Sequence, residues 1–372
     1  MALFASAPVR LQPFFGYRSQ NRLTISARAL RAGRPGTDAF ARRGRLQAMR
    51  TMLAQFASRE VPGLAVRLEL RAPDGTALNR EGLTDGEGYV RFDVELAPGW
   101  PLPRDPVWEV ACLHWLTADG PQCIEGYILA PGTTTRLGVV SDIDDTIVET
   151  GITGGPRAIA RNWRRVLAEL PDERIAVPGA DVFFGALGGG AVLAEPGGAG
   201  TRYPATHRPF FYISSSPWNL FSYLVAFQQS RNLPLGPLLL RDWGLNRATL
   251  GSDSHGAHKR AALDALLAFY PDMRFALIGD DTQGDLPAYA DTVQMNPGRV
   301  AAVFIRTGAG PLSPEELAGR AMIEAAGVPL WLGDDYATGN DFLRANGIST
   351  QGETAQIVKA VQHPAEPEEG AR

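Results

Sequence analysis

Apolar residues change their spacing along this chain, and each change marks a different kind of structure. Leu23, Ile25, Ala27 and Ala29 alternate with polar positions, which predicts a strand over Leu23–Leu30. From Asp38, a candidate N-cap, the spacing becomes helical: Phe40, Leu46, Met49, Leu53 and Phe56 share a face, with Arg42, Arg43, Arg45 and Arg50 on the other. Such a basic amphipathic helix can lie on an anionic membrane, but packing on its own domain is the favoured reading. From Leu64 to about Arg136 the period is two. Leu64–Leu70 and Tyr89–Leu96 alternate cleanly, and Val107–Leu113 and Tyr127–Leu129 add short strands. The clusters Ala72-Pro-Asp-Gly75 and Asp85-Gly-Glu-Gly88 supply turns. Short strands with such punctuation predict an antiparallel β-sandwich within a first unit, residues 1–135.

After Arg136 short apolar runs alternate with helical stretches. The runs are Leu137–Val140, Phe210–Ile213, Leu238–Leu240, Phe275–Ile278 and Val300–Ile305; Trp218–Gln229 and His258–Tyr270 read as helices between them. Strands buried on both faces and joined by helices form a doubly wound, mostly parallel α/β sheet. Its expected span is residues 136–345. The interval 147–209 reads as an insertion, with an Arg-rich helix over about 157–170 followed by Gly185-Ala-Leu-Gly-Gly-Gly190 and Pro196-Gly-Gly-Ala-Gly200. So much glycine argues for a mobile loop. Ser313–Ala326 reads as a helix with Pro314 in its first turn. Residues 346–372 are expected to be a tail, disordered in its polar last part.

Composition narrows the class only modestly. The 372 residues are 45% hydrophobic and 20% charged, enough for two cores in an ordinary globular protein. A net charge of −4 argues against a wholesale nucleic-acid binder. No apolar run approaches the roughly 20 residues needed to span a bilayer. The start has no compact apolar leader, so a cytoplasmic location is expected, with any membrane contact peripheral. Cys112 and Cys123 lack CxxC or zinc-type spacing and read as two reduced thiols.

The candidate chemistry sits at the strand ends, where ligands bind in such sheets. Asp142 and Asp144 follow the first run, two apart and so on one face of an extended chain. Ser214 follows the second, and Asp280 and Asp285 follow another in Gly-Asp-Asp-Thr-Gln-Gly-Asp285. Alone, Asp142-Ile-Asp-Asp-Thr146 reads almost as well as a solvated turn. Gathered with the others, the carboxylates repel each other unless a cation joins them, and all-oxygen donors suit Mg2+. A carboxylate beside Mg2+ and a phosphate ester can attack phosphorus, and a second can serve as acid and base. Lys259 offers a fixed cation, and Ser214 a hydroxyl for phosphate oxygens.

These residues carry a resemblance. Asp142-Ile-Asp-Asp-Thr146 is similar to the DxDxT motif of the haloacid dehalogenase superfamily, and Ser214, Lys259 and Gly279-Asp280…Asp285 match its other three motifs in order. Phe211-Tyr-Ile-Ser-Ser-Ser-Pro-Trp-Asn-Leu220, Leu240-Arg-Asp-Trp-Gly244 and His258-Lys-Arg260 further resemble the actin-patch-type phosphatidate phosphatases, over about residues 137–310. Thr84-Asp-Gly-Glu-Gly-Tyr-Val-Arg-Phe92 is similar to a turn of transthyretin-like and carboxypeptidase-regulatory-like sandwiches. The resemblance implies a haloacid dehalogenase-like sheet with a small cap insertion, and phosphatidate hydrolysis to diacylglycerol and phosphate. It assigns Asp142 as nucleophile and Asp144 as general acid/base. Mg2+ would be held by Asp142, Asp280 and the Asp144 carbonyl. Ser214 and Lys259 would bind the phosphoryl group, Thr146 would order the loop beside it, and Asp285, with Asp281 more loosely, would support the site.

Rival constellations are less persuasive. His255 and His258 lack further Cys or His neighbours in sequence, so a helix-capping loop is favoured over a metal pair. Ser214-Ser-Ser216 is no GxSxG elbow, and neither Asp-rich loop has an EF-hand glycine. Arg157, Arg161, Arg164 and Arg165 beside Trp163 read better as a solvated helix face than as a lipid-headgroup site. Two alternative functions stand beside the phosphatidate reading: the same chemistry on a soluble phosphate ester, and a non-catalytic lipid- or partner-binding protein. The sequence sets no oligomeric state.

Overall fold

The computed structural model describes residues 8–31, 59–72, 74–143, 146, 177, 179–188, 200–241, 253–281, 284–308 and 310–348. The amphipathic helix expected from Asp38, the Arg-rich helix near 157–170, Asp144, most of the glycine-rich passage and the polar tail lie outside these residues.

Alternation in the first part yields a ten-stranded sheet. Its strands are β1 (Val9–Pro13), β2 (Gly16–Arg18), β3 (Arg22–Arg31), β4 (Arg59–Glu60), β5 (Ala65–Arg71), β6 (Ala77–Leu83), β7 (Tyr89–Glu95), β8 (Val107–Thr117) and β9 (Gly120–Ala130), joined by β11 (Arg202–Pro204) from later in the chain. The path runs β1-β3-β2-β9-β8-β5-β6, with β4 and β7 also on β3 and β11 on β8. Pairing is antiparallel except between β2 and β9. Inward positions such as Val66, Leu68 and Leu70 of β5 are buried while their neighbours face out, the period-two pattern of a half-covered sheet. β8 and β9 are longer than their apolar runs suggest, because their polar ends continue the same ladder as far as Thr117 and Gly120.

The second part is a six-stranded parallel sheet. After β10 (Leu137–Asp142) come β12 (Phe210–Pro217), β13 (Leu238–Arg241), β14 (Arg274–Asp280), β15 (Val300–Arg306) and β16 (Leu330–Gly333), in the order β13-β12-β10-β14-β15-β16. Six of seven β14 residues are buried, the signature of a strand covered on both faces. The helices among the described residues are α1 (Ala180–Ala186), α2 (Phe221–Ser230), α3 (Asp253–Phe269), α4 (Asp285–Met295), α5 (Pro314–Ala325) and α6 (Tyr336–Ala345). α5 starts at a capping box: Ser313 Oγ accepts from the Glu316 amide and Glu316 Oε2 from the Ser313 amide, with Pro314 next.

Two local expectations change. Gly185 belongs to α1 rather than to a loop, because Phe183 and Phe184 beside it are fully buried and hold the helix against the core. α3 begins five residues before His258, so that histidine sits inside the helix and not in a capping loop.

The larger of two buried clusters spans both sheets, and the smaller belongs to the first sheet alone. Phe14 and Phe15, between β1 and β2, pack on Phe221 of α2 at ring-centroid distances of 5.1 Å each, and Phe14 lies 4.3 Å from Trp218. Buried Arg18 forms a bidentate pair with Glu109 at 2.5 and 2.9 Å, and Arg202 of β11 meets the same carboxylate. A buried pair of this kind is sustained only because its charges are matched and hydrogen-bonded.

Candidate active site

Strand order decides what can meet. β10 lies between β12 and β14, so the carboxyl ends of these three strands are neighbours. Asp142 ends β10 and pairs in register with Ile213, which puts Ser214 one residue farther along β12. Asp280 ends β14, and α4 then opens with Asp285. Lys259 comes from α3, the helix leading into β14. Asp142, Ser214, Lys259, Asp280 and Asp285 are each no more than 1% exposed.

The contacts form a chain. Lys259 Nζ stands 3.0 Å from Asp142 Oδ1 and donates to Asp285 Oδ1. Asp285 Oδ2 accepts from the Asp280 amide at 3.1 Å, so one carboxylate fixes both the lysine and the end of β14. Thr146 Oγ1 donates to Asp280 Oδ2 at 3.1 Å, and the Tyr336 hydroxyl donates to the Thr146 carbonyl at 3.0 Å. Burial by itself would lower the Lys259 pKa. The charges of Asp142, Asp285 and Asp280, and the bond to Asp285, outweigh it and hold the ammonium above its ordinary range.

Gly279 is what lets Asp285 come so close. A Cβ at that position would lie 2.3 Å from Asp285 Oδ2 and 2.7 Å from its Cβ. Tyr336 is set by packing: its ring stacks on Phe183 at 4.7 Å and on Trp331 at 5.7 Å. Neither role has a local signal. Asp335, the N-cap of α6, accepts from the Ala337 amide and could have announced the helix, but nothing near Tyr336 in sequence names Thr146 as its partner.

Carboxylate oxygens of Asp142, Asp280 and Asp285 all lie within 4.8 Å of one another. Three buried carboxylates face one directly bonded lysine, an oxygen-only set with negative charge in excess. Its donors fit a hard divalent cation such as Mg2+. Of the residues singled out from the sequence, Asp142, Thr146, Ser214, Lys259, Asp280 and Asp285 gather at these neighbouring strand ends. Asp281 turns elsewhere: its Oδ2 accepts from the Gly308 amide at 2.7 Å and fastens the loop after β15. Asp144 lies outside the described residues.

Comparison with known proteins bears on the same stretch. Residues 137–307 match the family model of phosphatidate phosphatase APP1, catalytic domain. The matched residues run from the start of β10 to just past β15 and include every strand end named above. The resemblance to the actin-patch-type phosphatidate phosphatases therefore stands. Phosphatidate phosphatase APP1 of Saccharomyces cerevisiae is 26% identical over 265 residues, covering 68% of this chain and 39% of its own length. An uncharacterized Schizosaccharomyces pombe protein is 28% identical over 227 residues, 60% of this chain and 34% of its own. The chain thus spans little more than a third of each of these relatives. The longer alignment exceeds the catalytic-domain match, so the likeness extends beyond that domain. Among solved structures, a Bifidobacterium dentium β-glucuronidase matches at 8% identity and a TM-score of 0.22, over 87% of this chain and 59% of its own, too low to bear on the fold.

Proposed function

We infer that the chain is a Mg2+-dependent phosphomonoesterase that works through an aspartyl-phosphate and acts on phosphatidate. The observation that carries this is the convergence of Asp142, Asp280, Asp285 and Lys259 at adjacent strand ends, inside the matched stretch. The parallel sheet with this strand-end site supports a haloacid dehalogenase-like reading of the second unit, and the alternating strands support a sandwich reading of the first. The reading makes the enzyme cytoplasmic and peripheral to the lipid surface; no helix among the described residues is long and apolar enough to cross a membrane.

Asp142 and Asp280 would hold Mg2+, which supplies positive charge opposite the phosphate oxygens. Lys259, fixed by Asp285, holds a phosphoryl oxygen near the Asp142 carboxylate, and Ser214 donates to another. An Asp142 oxygen bonds to phosphorus as the bond from phosphorus to the ester oxygen breaks, and the departing alkoxide takes a proton from Asp144. Asp144, now a carboxylate, takes a proton from water as that water bonds to phosphorus. Inorganic phosphate leaves and Asp142 is regenerated. Thr146, held through its carbonyl by Tyr336, keeps the Asp280 carboxylate turned into the site.

The test is phosphate release from phosphatidate in vesicles beside a panel of soluble phosphate esters, with Mg2+ and after chelation. Activity on vesicles that disappears on chelation supports the reading. Asp142→Asn should lower kcat by roughly 10⁴-fold or more, the scale on which loss of a covalent nucleophile acts. Full activity in that variant would refute the nucleophile. Turnover of soluble esters alone would refute the lipid substrate and leave the chemistry.

A further inference from the structure

A second cluster of metal-ligating side chains among the described residues lies on the other sheet. Cys112 and His114 are two apart on β8 and so leave it on one face. In the antiparallel ladder His114 stands directly opposite Cys123 of β9, and Cys112 directly opposite Glu69 of β5. Residues facing each other across such a ladder share a side of the sheet, so three strands deliver these four side chains to one spot. A sulfur of each cysteine and a ring nitrogen of His114 lie within 4.8 Å of one another. Glu69 Oε2 is 3.3 Å from His114 Nε2. The chain has only two cysteines and five histidines, and both thiols and one imidazole meet here. The spacing Cys-x-His-x8-Cys resembles no zinc motif because register, not sequence distance, brings the ligands together.

We propose that Cys112, His114 and Cys123, with Glu69 or water as fourth ligand, form a binding site for a thiophilic divalent cation of the Zn2+ class. Two sulfurs and an imidazole nitrogen are the donors that such ions select over Mg2+. On tetrahedral Zn2+, bonds of about 2.0–2.3 Å put ligand atoms roughly 3.5–3.8 Å apart, so small rotations of surface side chains would close the set. Cys112 and His114 are half-buried and Cys123 is exposed, which leaves the ion a way in from solvent, while Ala111 and Leu113 between them fill the core on the opposite side. Neighbouring charges permit it. Glu69 Oε1 is held by Arg71 at 2.9 Å, leaving Oε2 on the histidine side. Arg67 stands opposite His114, and Glu125, opposite Cys112, accepts from the Tyr127 hydroxyl. An ion there would fasten β5, β8 and β9 together on the sheet that meets the α/β half.

The test uses the full chain, reduced, stripped with chelator and titrated with Co2+. One equivalent is expected to produce a sulfur-to-cobalt charge-transfer absorption that Zn2+ displaces. That absorption should vanish in Cys112→Ser and Cys123→Ser, weaken in His114→Ala, and persist in Asp142→Asn, since an all-carboxylate site gives no thiolate band. All three sheet variants replace outward-facing residues and should retain the wild-type circular dichroism. Absence of the band in the reduced chain would overturn the proposal, as would its survival in the double cysteine variant. An air-exposed chain lighter by two hydrogens, with Co2+ giving no band after reduction, would make the pair a disulfide instead.

Discussion

Gly279→Ala is the sharpest probe of how the strand-end site is held. The added methyl carbon would sit 2.3 Å from Asp285 Oδ2, 2.7 Å from Asp285 Cβ and 2.8 Å from Asp285 Cγ, all inside van der Waals contact. Three atoms of one side chain are involved, so turning its tip does not relieve the overlap. Asp285 has nowhere cheap to go either, since it bonds Lys259 and the Asp280 amide at once and is fully buried. Overpacking of this kind costs about 1–3 kcal/mol. If Asp285 swings away it also gives up a hydrogen bond to a charged group, about 1.5–3 kcal/mol more. A loss of about 3 kcal/mol lowers the thermal midpoint of a unit of this size by roughly 6–12 °C. Activity should fall too, because Lys259 and the end of β14 lose their common anchor. The measurements are a thermal melt and kcat on the best substrate of the phosphatase panel. Adding Asp285→Ala removes two of the three overlapping atoms and leaves only its Cβ at 2.7 Å, so Gly279→Ala should lower the melt less in the Asp285→Ala background than in the parent chain. A single Gly279→Ala variant with an unchanged melt and unchanged kcat would refute the anchoring role of Asp285.

Other perturbations read other parts of the molecule. Tyr336→Phe leaves the buried Thr146 carbonyl without its donor and should cost about 1–3 kcal/mol of stability. Because Thr146 bonds Asp280, kcat should fall with KM little changed; a change in stability alone would confine Tyr336 to packing. Glu109→Ala strands buried Arg18 and should destabilise by about 3–5 kcal/mol in a urea or thermal melt, whereas a change below about 1 kcal/mol would show that the pair carries little.

What the sequence could and could not disclose follows from the range of each interaction. Local rules worked where a segment's own residues decide its structure: the alternation of β5 and β7, the apolar runs of β10 and β14, and Pro314 in the first turn of α5 all mark elements where they were expected. The site residues were legible because motif residues fall at strand ends, which a parallel sheet lines up. What stayed hidden depends on register between distant strands. The meeting of Cys112, His114 and Cys123 needs the β8–β9 ladder, and Tyr336 reaches Thr146 across 190 residues. β6 was missed because its exposed polar residues, Asn79, Arg80 and Glu81, conceal a ladder complete with β5. β16 was missed because it has only four residues, and α6 because few of its residues, Tyr336, Gly339 and Leu343, are buried.

β11 ties the two halves together in a way that composition does not advertise. In sequence it lies between β10 and β12, neighbours in the parallel sheet, yet it pairs with Val107–Glu109 of β8 and brings Arg202 to Glu109. The backbone therefore leaves one sheet, is stitched into the other, and returns six residues later as the strand that bears Ser214. A chain beginning at Leu137 would carry this stitch with nothing to sew it to. The pieces on either side of residue 136 are better regarded as one inheritance unit: shuffling the later stretch alone onto another protein would export a loose thread that ends six residues before the strand bearing Ser214.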